Sequence, residues 1–225
     1  MEPVIILWLA LIIAILDWIG IARGWRRSGY ATKPSVILAL LLWLILVSGL
    51  HGRFVWFAIG LLCSLAGDVF LMLPRERFLA GLVAFLLAHV AYIVGFTADL
   101  PPLNLASLIL ALLVILNAAL ISSRILGTMQ NTQNAHLKLP VLIYVVVIDL
   151  MLFSAALTLV RPEWAALPAL FASVGAYLFF LSDTILGWNK FVAPLRNGQL
   201  LVRITYQVGQ GLIIIGAAIH YAGLL

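Results

Sequence analysis

Eight stretches of this chain are apolar for long enough to cross a lipid bilayer, and little sequence is left between them. A hydrocarbon core about 30 Å thick takes ~20 residues of helix to span. Apolar runs of that order fall at 3–22, 34–50, 54–73, 78–98, 105–121, 139–160, 165–186 and 201–222, the second and fifth being the shortest. They are continuous, as at 4–16 and 108–116, whereas a transmembrane barrel needs ~10-residue segments that alternate apolar and polar. The expected fold is therefore all-α, a polytopic membrane bundle of eight transmembrane helices. Composition agrees, with 65% hydrophobic and 9% charged residues, against about 25% charged in a soluble domain. No interval between runs could hold a separate soluble unit, so 1–225 reads as one transmembrane domain.

The basic residues explain themselves as topology signals. The loops after runs 1, 3, 5 and 7 hold Arg23, Arg26, Arg27, Lys33, Arg75, Arg77, Arg124, Lys138, Lys190 and Arg196, and the other loops hold only Arg53 and Arg161. Positive-inside logic puts the odd loops in the cytoplasm and both termini outside, most simply in a bacterial plasma (inner) membrane. The net charge of +5 is thus no sign of nucleic-acid binding. The first run does not read as a cleaved signal peptide, since its arginines follow the apolar stretch instead of preceding it. The single cysteine, Cys63, excludes an intramolecular disulfide and a cysteine-based metal cluster.

The two halves of the chain match in places. Gly67-Asp68-Val69-Phe70-Leu71 parallels Ser182-Asp183-Thr184-Ile185-Leu186, and each is followed by a basic loop and a phenylalanine, Phe78 or Phe191. Ala91-Tyr92-Ile93-Val94-Gly95 parallels Thr205-Tyr206-Gln207-Val208-Gly209, and Lys33-Pro34 parallels Lys138-Leu139-Pro140. The offsets are 183 − 68 = 115, 206 − 92 = 114 and 138 − 33 = 105. This suggests two parallel four-helix repeats, at about 1–98 and 105–225, with a site expected at their interface.

Four of the eight acidic residues, Asp17, Asp68, Asp149 and Asp183, fall inside the apolar runs. An ionised Asp at a helix centre costs roughly 2.5–3.5 kcal/mol on insertion scales, so such residues need partners or a function. In the last run Arg203, Tyr206, Gln207 and Gln210 fall at i, i+3, i+4 and i+7, one stripe that should face the bundle interior. His89 and Tyr92 share a face in the fourth run, and the sixth contributes Tyr144 and Asp149. Lys33, Asn189 and Lys190 sit at the cytoplasmic rim. Bland roles compete with functional ones: Asp17 pairing with Arg23 or Lys33, Asp149 as a packing hydrogen-bond donor, His89 as structural glue, and Asp68 and Asp183 as ion-pair partners of Arg203, Lys190 or Arg75. No nucleophile elbow, zinc-binding helix motif or phosphate-binding glycine loop is present. No metal or other cofactor is expected, and paired carboxyls are the chemistry on offer.

These segments resemble the lysoplasmalogenase family, also called the YhhN-like family of integral membrane proteins. The resemblance is carried by Thr32-Lys33-Pro34, the run from Ser64 through Gly67-Asp68 to Leu73, His89 with Tyr92, and Phe180-Leu181-Ser182-Asp183-Thr184-Ile185-Leu186 with Asn189-Lys190-Phe191. It implies hydrolysis of the vinyl ether bond of a lysophospholipid to a fatty aldehyde and a glycerophospho-headgroup, with membrane lipid as surroundings. Such a bond breaks when an acid protonates its β-carbon and water captures the resulting oxocarbenium ion. Two carboxyls with split roles suit this chemistry, because desolvation and a like-charged neighbour hold one of them protonated. Asp68 and Asp183 are then expected as the catalytic pair facing each other across the repeat axis, each replaceable by Asn only with loss of activity. Tyr92 and Tyr206 would orient water or the ether oxygen, and Lys33, Lys190 and Arg203 would hold the lipid phosphate. His89, Tyr144, Asn189, Gln207 and Gln210 complete the expected substrate-binding set. The rival reading is a small-solute or lipid transporter that uses the intramembrane Asp residues for proton coupling.

Overall fold

The structure is a computed structural model that describes residues 2–25, 29–73, 77–97, 104–129 and 135–224. Regular structure among them is helical: α1 (Pro3–Ala22), α2 (Gly29–Ser48), α3 (Phe54–Met72), α4 (Phe78–Phe96), α5 (Leu105–Met129), α6 (Lys138–Ala156), α7 (Ala166–Phe191) and α8 (Gly198–Ala222). Short 3₁₀ turns at Ala135–Leu137 and Leu157–Val160 flank α6. All eight spans are long and apolar enough to cross a membrane, and the chain is a multi-pass integral membrane protein. Its outward surface is lined with exposed residues such as Leu9, Leu46, Leu87 and Leu112, which fits lipid as solvent.

Six helices close a ring in which α2, α3, α4, α6, α7 and α8 each pack on the next and α8 returns to α2. Outside that ring α1 packs on α2 and α8, and α5 packs on α6 and α7. A two-fold repeat expects α1–α2 to mirror α5–α6, α2–α8 to mirror α6–α4, and α3–α4 to mirror α7–α8; all these pairs are in contact. The α1–α8 and α5–α7 contacts lack counterparts of similar extent.

The closest seam joins α7 to α8. A Cβ added at Gly175 would lie 2.7 Å from the Ile213 backbone nitrogen, and one at Gly209 would lie 2.8 Å from the Gly175 carbonyl oxygen. Without hydrophobic force between helices in lipid, such small residues let backbones meet and gain dispersion contact. The seam fixes Asp183 of α7 relative to Arg203 and Tyr206 of α8.

Several helices outrun the apolar runs that announced them. α2 starts at Gly29 and contains Pro34, which leaves the Tyr30 carbonyl without its usual intrahelical donor. α5 continues to Met129, α7 to Phe191, and α8 begins at Gly198. Lys33, Arg124 and Lys190 therefore stand on helices and not in loops. The reason is physical: hydropathy marks the lipid-buried part of a helix, while the hydrogen-bonded ladder continues past it. Arg26, Arg27 and Arg75 lie outside the described residues.

Candidate functional site

The intramembrane acids are each held by a different partner set. Asp68, on the last turns of α3, is wholly buried; the Lys33 ammonium of α2 stands 2.6 Å from its Oδ1. This is a charge contact off the hydrogen-bond direction. The Tyr206 hydroxyl of α8 donates to Oδ2 at 3.0 Å, and the Lys33 ammonium also lies 5.2 Å from the Tyr206 ring centre. One carboxyl is thereby bound by helices from both halves of the chain.

Asp183, on α7, has a parallel environment with different chemistry. Tyr144 of α6 donates a hydrogen bond to its Oδ2. His89 Nε2 of α4 lies 3.2 Å from the same oxygen and 2.9 Å from the Tyr144 hydroxyl. His89 Nε2 thus stands beside both oxygens of the Tyr144–Asp183 pair. His89 Nδ1 is buried without a hydrogen-bond partner among the described residues.

The expectation that Asp17 pairs with Arg23 or Lys33 is corrected. Arg203 Nη1 reaches both Asp17 oxygens at 2.7 and 2.8 Å, and Gln207 Nε2 and Thr32 Oγ1 donate to them at 3.0 and 2.5 Å. Arg203 is therefore not the ion-pair partner of Asp68 or Asp183. Trp18 Nε1 donates to Gln207 Oε1 at 2.6 Å, closing the network. α1 stands close enough to α8 for this, and nothing in the spacing of the chain announces that packing.

Other members of the expected set have structural partners. Tyr92 donates to Gln210 Oε1 at 2.5 Å, and Gln210 Nε2 donates to Ser64 Oγ at 2.8 Å. Tyr206, Gln207 and Gln210 are all buried, so the stripe on α8 does face inward. Asn189 Oδ1 accepts the Leu195 amide at 2.7 Å and so shapes the α7–α8 turn. The Lys190 ammonium lies 4.5 Å from the Phe78 ring centre. Asp149, at mid-span on α6, has a buried Oδ1 without a hydrogen-bond partner among the described residues.

An aromatic partition stands between the two carboxyl clusters. Phe179 packs on His89 at 4.6 Å between ring centres and on Tyr206 at 5.3 Å, and Phe85 packs on Phe179 and Tyr206. Among the described residues no hydrogen bond joins Asp68 directly to Asp183. Tyr206 lies within electrostatic reach of both.

Two neighbouring cavities lie at this site. One is a narrow slot of about 70 Å³. Its walls come from α3 to α7 and are apolar except around Asp183, Tyr144, Ser122 and Thr184. The second is a vestibule at the end of the bundle where α2 and α8 begin, lined by Tyr30, Lys33, Asn189, Lys190, Gln199 and Arg203 among others. Leu71 and Leu186 line both. Neither cavity is lined by Asp68, Tyr92, Gln207 or Gln210. Tyr30 and Gln199 were missing from the expected set, although helical spacing holds the signal: Tyr30 is three residues before Lys33, and Gln199 four before Arg203.

Fold and site together define a class: a multi-pass helical membrane protein with carboxyls held inside the bundle, one of them facing an apolar cavity beside a cationic one. The YhhN family profile matches residues 28–217, and the chain belongs to the YhhN family. Among similar proteins, lysoplasmalogenase TMEM86B of Homo sapiens is 32% identical over 194 residues, covering 86% of this chain and 76% of that protein. Lysoplasmalogenase TMEM86B of Sus scrofa is 33% identical over 185 residues, 82% of this chain and 73% of that protein. A Mycobacterium bovis lysoplasmalogenase is 30% identical over 170 residues, 74% of this chain and 60% of that protein. No solved structure matches the chain.

Proposed function

We propose that this protein hydrolyses the vinyl ether bond of lysoplasmalogen-type lysophospholipids, with Asp183 as the acid. The observation that carries this reading is that the two cavities are neighbours, with Leu71 and Leu186 in the walls of both. A slot too narrow and apolar for bulk water reaches a carboxyl, and it adjoins a vestibule with three cationic side chains. A single-chain phospholipid has the matching chemistry, with an anionic phosphate at one end and hydrocarbon at the other. Relatives named lysoplasmalogenases favour hydrolysis over the transport reading.

The reaction then runs as follows. The Asp183 carboxylic acid gives its proton to the β-carbon of the vinyl ether, and the double-bond electrons form the new C–H bond. The α-carbon and ether oxygen share the positive charge, which the Asp183 carboxylate now faces. Water adds to the α-carbon and returns a proton to that carboxylate, giving a hemiacetal. Collapse of the hemiacetal breaks the bond between the α-carbon and the ether oxygen and moves a proton from its hydroxyl to the departing glycerol oxygen. Aldehyde and glycerophospho-headgroup leave, and the net reactant consumed is one water.

Tyr144 and His89 hold Asp183 in place and offer a route for protons between steps. Asp68 has the unequal role in the pair. It lines neither cavity and works through Lys33, whose ammonium it orients toward the vestibule, and through Tyr206. Lys33, Lys190 and Arg203 receive the phosphate, with Arg203 held by Asp17. The vestibule end faces the cytoplasm, and the matched Asp segments descend from a duplicated four-helix unit, each Asp bound by its own half and the other.

Purified protein in lipid vesicles, given a lysoplasmalogen and assayed for aldehyde, tests this. Release should depend on Asp183, since general acid–base catalysis contributes roughly 10²–10⁴-fold. Wild-type levels of aldehyde from a folded Asp183→Asn variant would sink the assignment. Uptake of solute along a proton gradient, with no product formed, would favour transport instead.

A further inference from the structure

α5 is the loosely held member of the bundle. It packs on α6 and α7 but not closely on α4, and Leu108, Leu112, Ile115 and Leu120 are each more than 60% exposed. The apolar slot occupies the gap this leaves. One wall is Phe78, Leu82 and Phe85 of α4, and the facing wall includes Ala118, Ile121 and Ile125 of α5.

Depths along the helices limit what can lie in the slot. Seven residues separate Asp183 from Lys190, about 10 Å of helix, which is close to the reach of a glycerophosphate arm. Past Asp183 the slot continues only to Phe180 and Ile148, about 5 Å further by helical rise. A long hydrocarbon chain attached at Asp183 cannot be contained in that remainder. The apolar direction left to it is sideways, past Leu82 and Ile121 and into lipid.

We propose that the slot binds the hydrocarbon chain of a single-chain phospholipid, which reaches Asp183 laterally from the bilayer by passing between α4 and α5. The catalytic purpose of this passage rests on the hydrolytic reading above; the binding of the chain does not. The bilayer is the source because the gap opens among lipid-facing leucines, and the vestibule supplies the charges that a lysophospholipid phosphate requires.

The test uses the full-length protein in phosphatidylcholine vesicles and a saturated ether-linked lysophospholipid with a diazirine in its chain, which cannot be hydrolysed. After photolysis, adducts should map to 78–85 of α4 and 118–125 of α5 and be suppressed by unlabelled ether lysophospholipid. Ala118→Trp and Ile121→Trp fill the gap and should remove these adducts, while Leu120→Trp, on the lipid-facing side of α5, should keep them. With a long-chain lysoplasmalogen, Ala118→Trp should lower kcat/KM by roughly tenfold, about the loss of two buried methylene groups, mainly through KM. Ile121→Ala widens the same gap without added bulk and should label at least as strongly as wild type.

Adducts confined to outward residues and unaffected by competitor would overturn the proposal. So would plugged variants that label and turn over as wild type does, while the hydrolytic reading stood. Competed slot labelling in a protein that releases no aldehyde would leave the chain site standing and remove the hydrolytic reading.

Discussion

Replacing Lys33 by Met should destabilise the protein more than replacing Lys33 and Asp68 together. In the wild type, Asp68 is fully buried and its charge is met by an ammonium at 2.6 Å whose side chain is only 10% exposed. Lys33→Met leaves that carboxyl with one hydrogen bond, from Tyr206 at 3.0 Å. Removing one partner of a buried pair costs about 3–5 kcal/mol, because the other charge stays buried and uncompensated. That is more than about a hundredfold in the ratio of folded to unfolded protein.

In the double variant Lys33→Met with Asp68→Leu no charge is buried. Substituting a whole buried pair by apolar groups is commonly neutral or stabilising by about 1–4 kcal/mol. Against that, the Tyr206 hydroxyl loses its acceptor, a penalty of about 1–3 kcal/mol. The double variant should therefore stand within about 3 kcal/mol of wild type and above the single variant, while lacking activity. Unfolding in mixed dodecylmaltoside–dodecylsulfate micelles, followed by far-ultraviolet circular dichroism, measures the order. A single variant as stable as the double would refute the claim that Lys33 neutralises Asp68. A fully active double variant would remove both residues from the machinery.

Asp17→Asn weakens the clamp on Arg203 while keeping a side chain for Gln207 and Thr32 to contact; KM for lysophospholipid should rise about three- to tenfold with kcat little changed, read by steady-state aldehyde release. Tyr144→Phe removes the hydroxyl donor to Asp183 without changing shape, so kcat should fall by about tenfold or more with the fold intact by size-exclusion chromatography. Gly209→Val forces bulk against the Gly175 carbonyl, which already lies 2.8 Å from where a Cβ would sit; the variant should lose about 1–3 kcal/mol in the same micelle assay, and wild-type stability would show that the α7–α8 seam can separate freely.

The number and order of the spans were legible in the sequence because lipid imposes a length and a polarity on every crossing helix. The inward stripe on α8 was legible for a related reason: Tyr206, Gln207 and Gln210 cannot face hydrocarbon, and helical spacing puts them on one side. The matched segments singled out Asp68 and Asp183 by their corresponding places in the two halves. What the sequence did not contain was who stands beside whom. Asp17 binds Arg203, 186 positions away, Asp68 binds Lys33, and Asp183 binds His89 and Tyr144. Each of these pairings depends on which helices neighbour one another around the ring, and that is set by close packing such as the glycine seam. Hydropathy cannot report this, because most helix faces are apolar enough for lipid or for protein. The same packing set Phe179 between the two carboxyl clusters and opened a slot beside α5. In the sequence Asp68 and Asp183 are equivalent; only the tertiary structure buries one behind a lysine and gives the other a cavity.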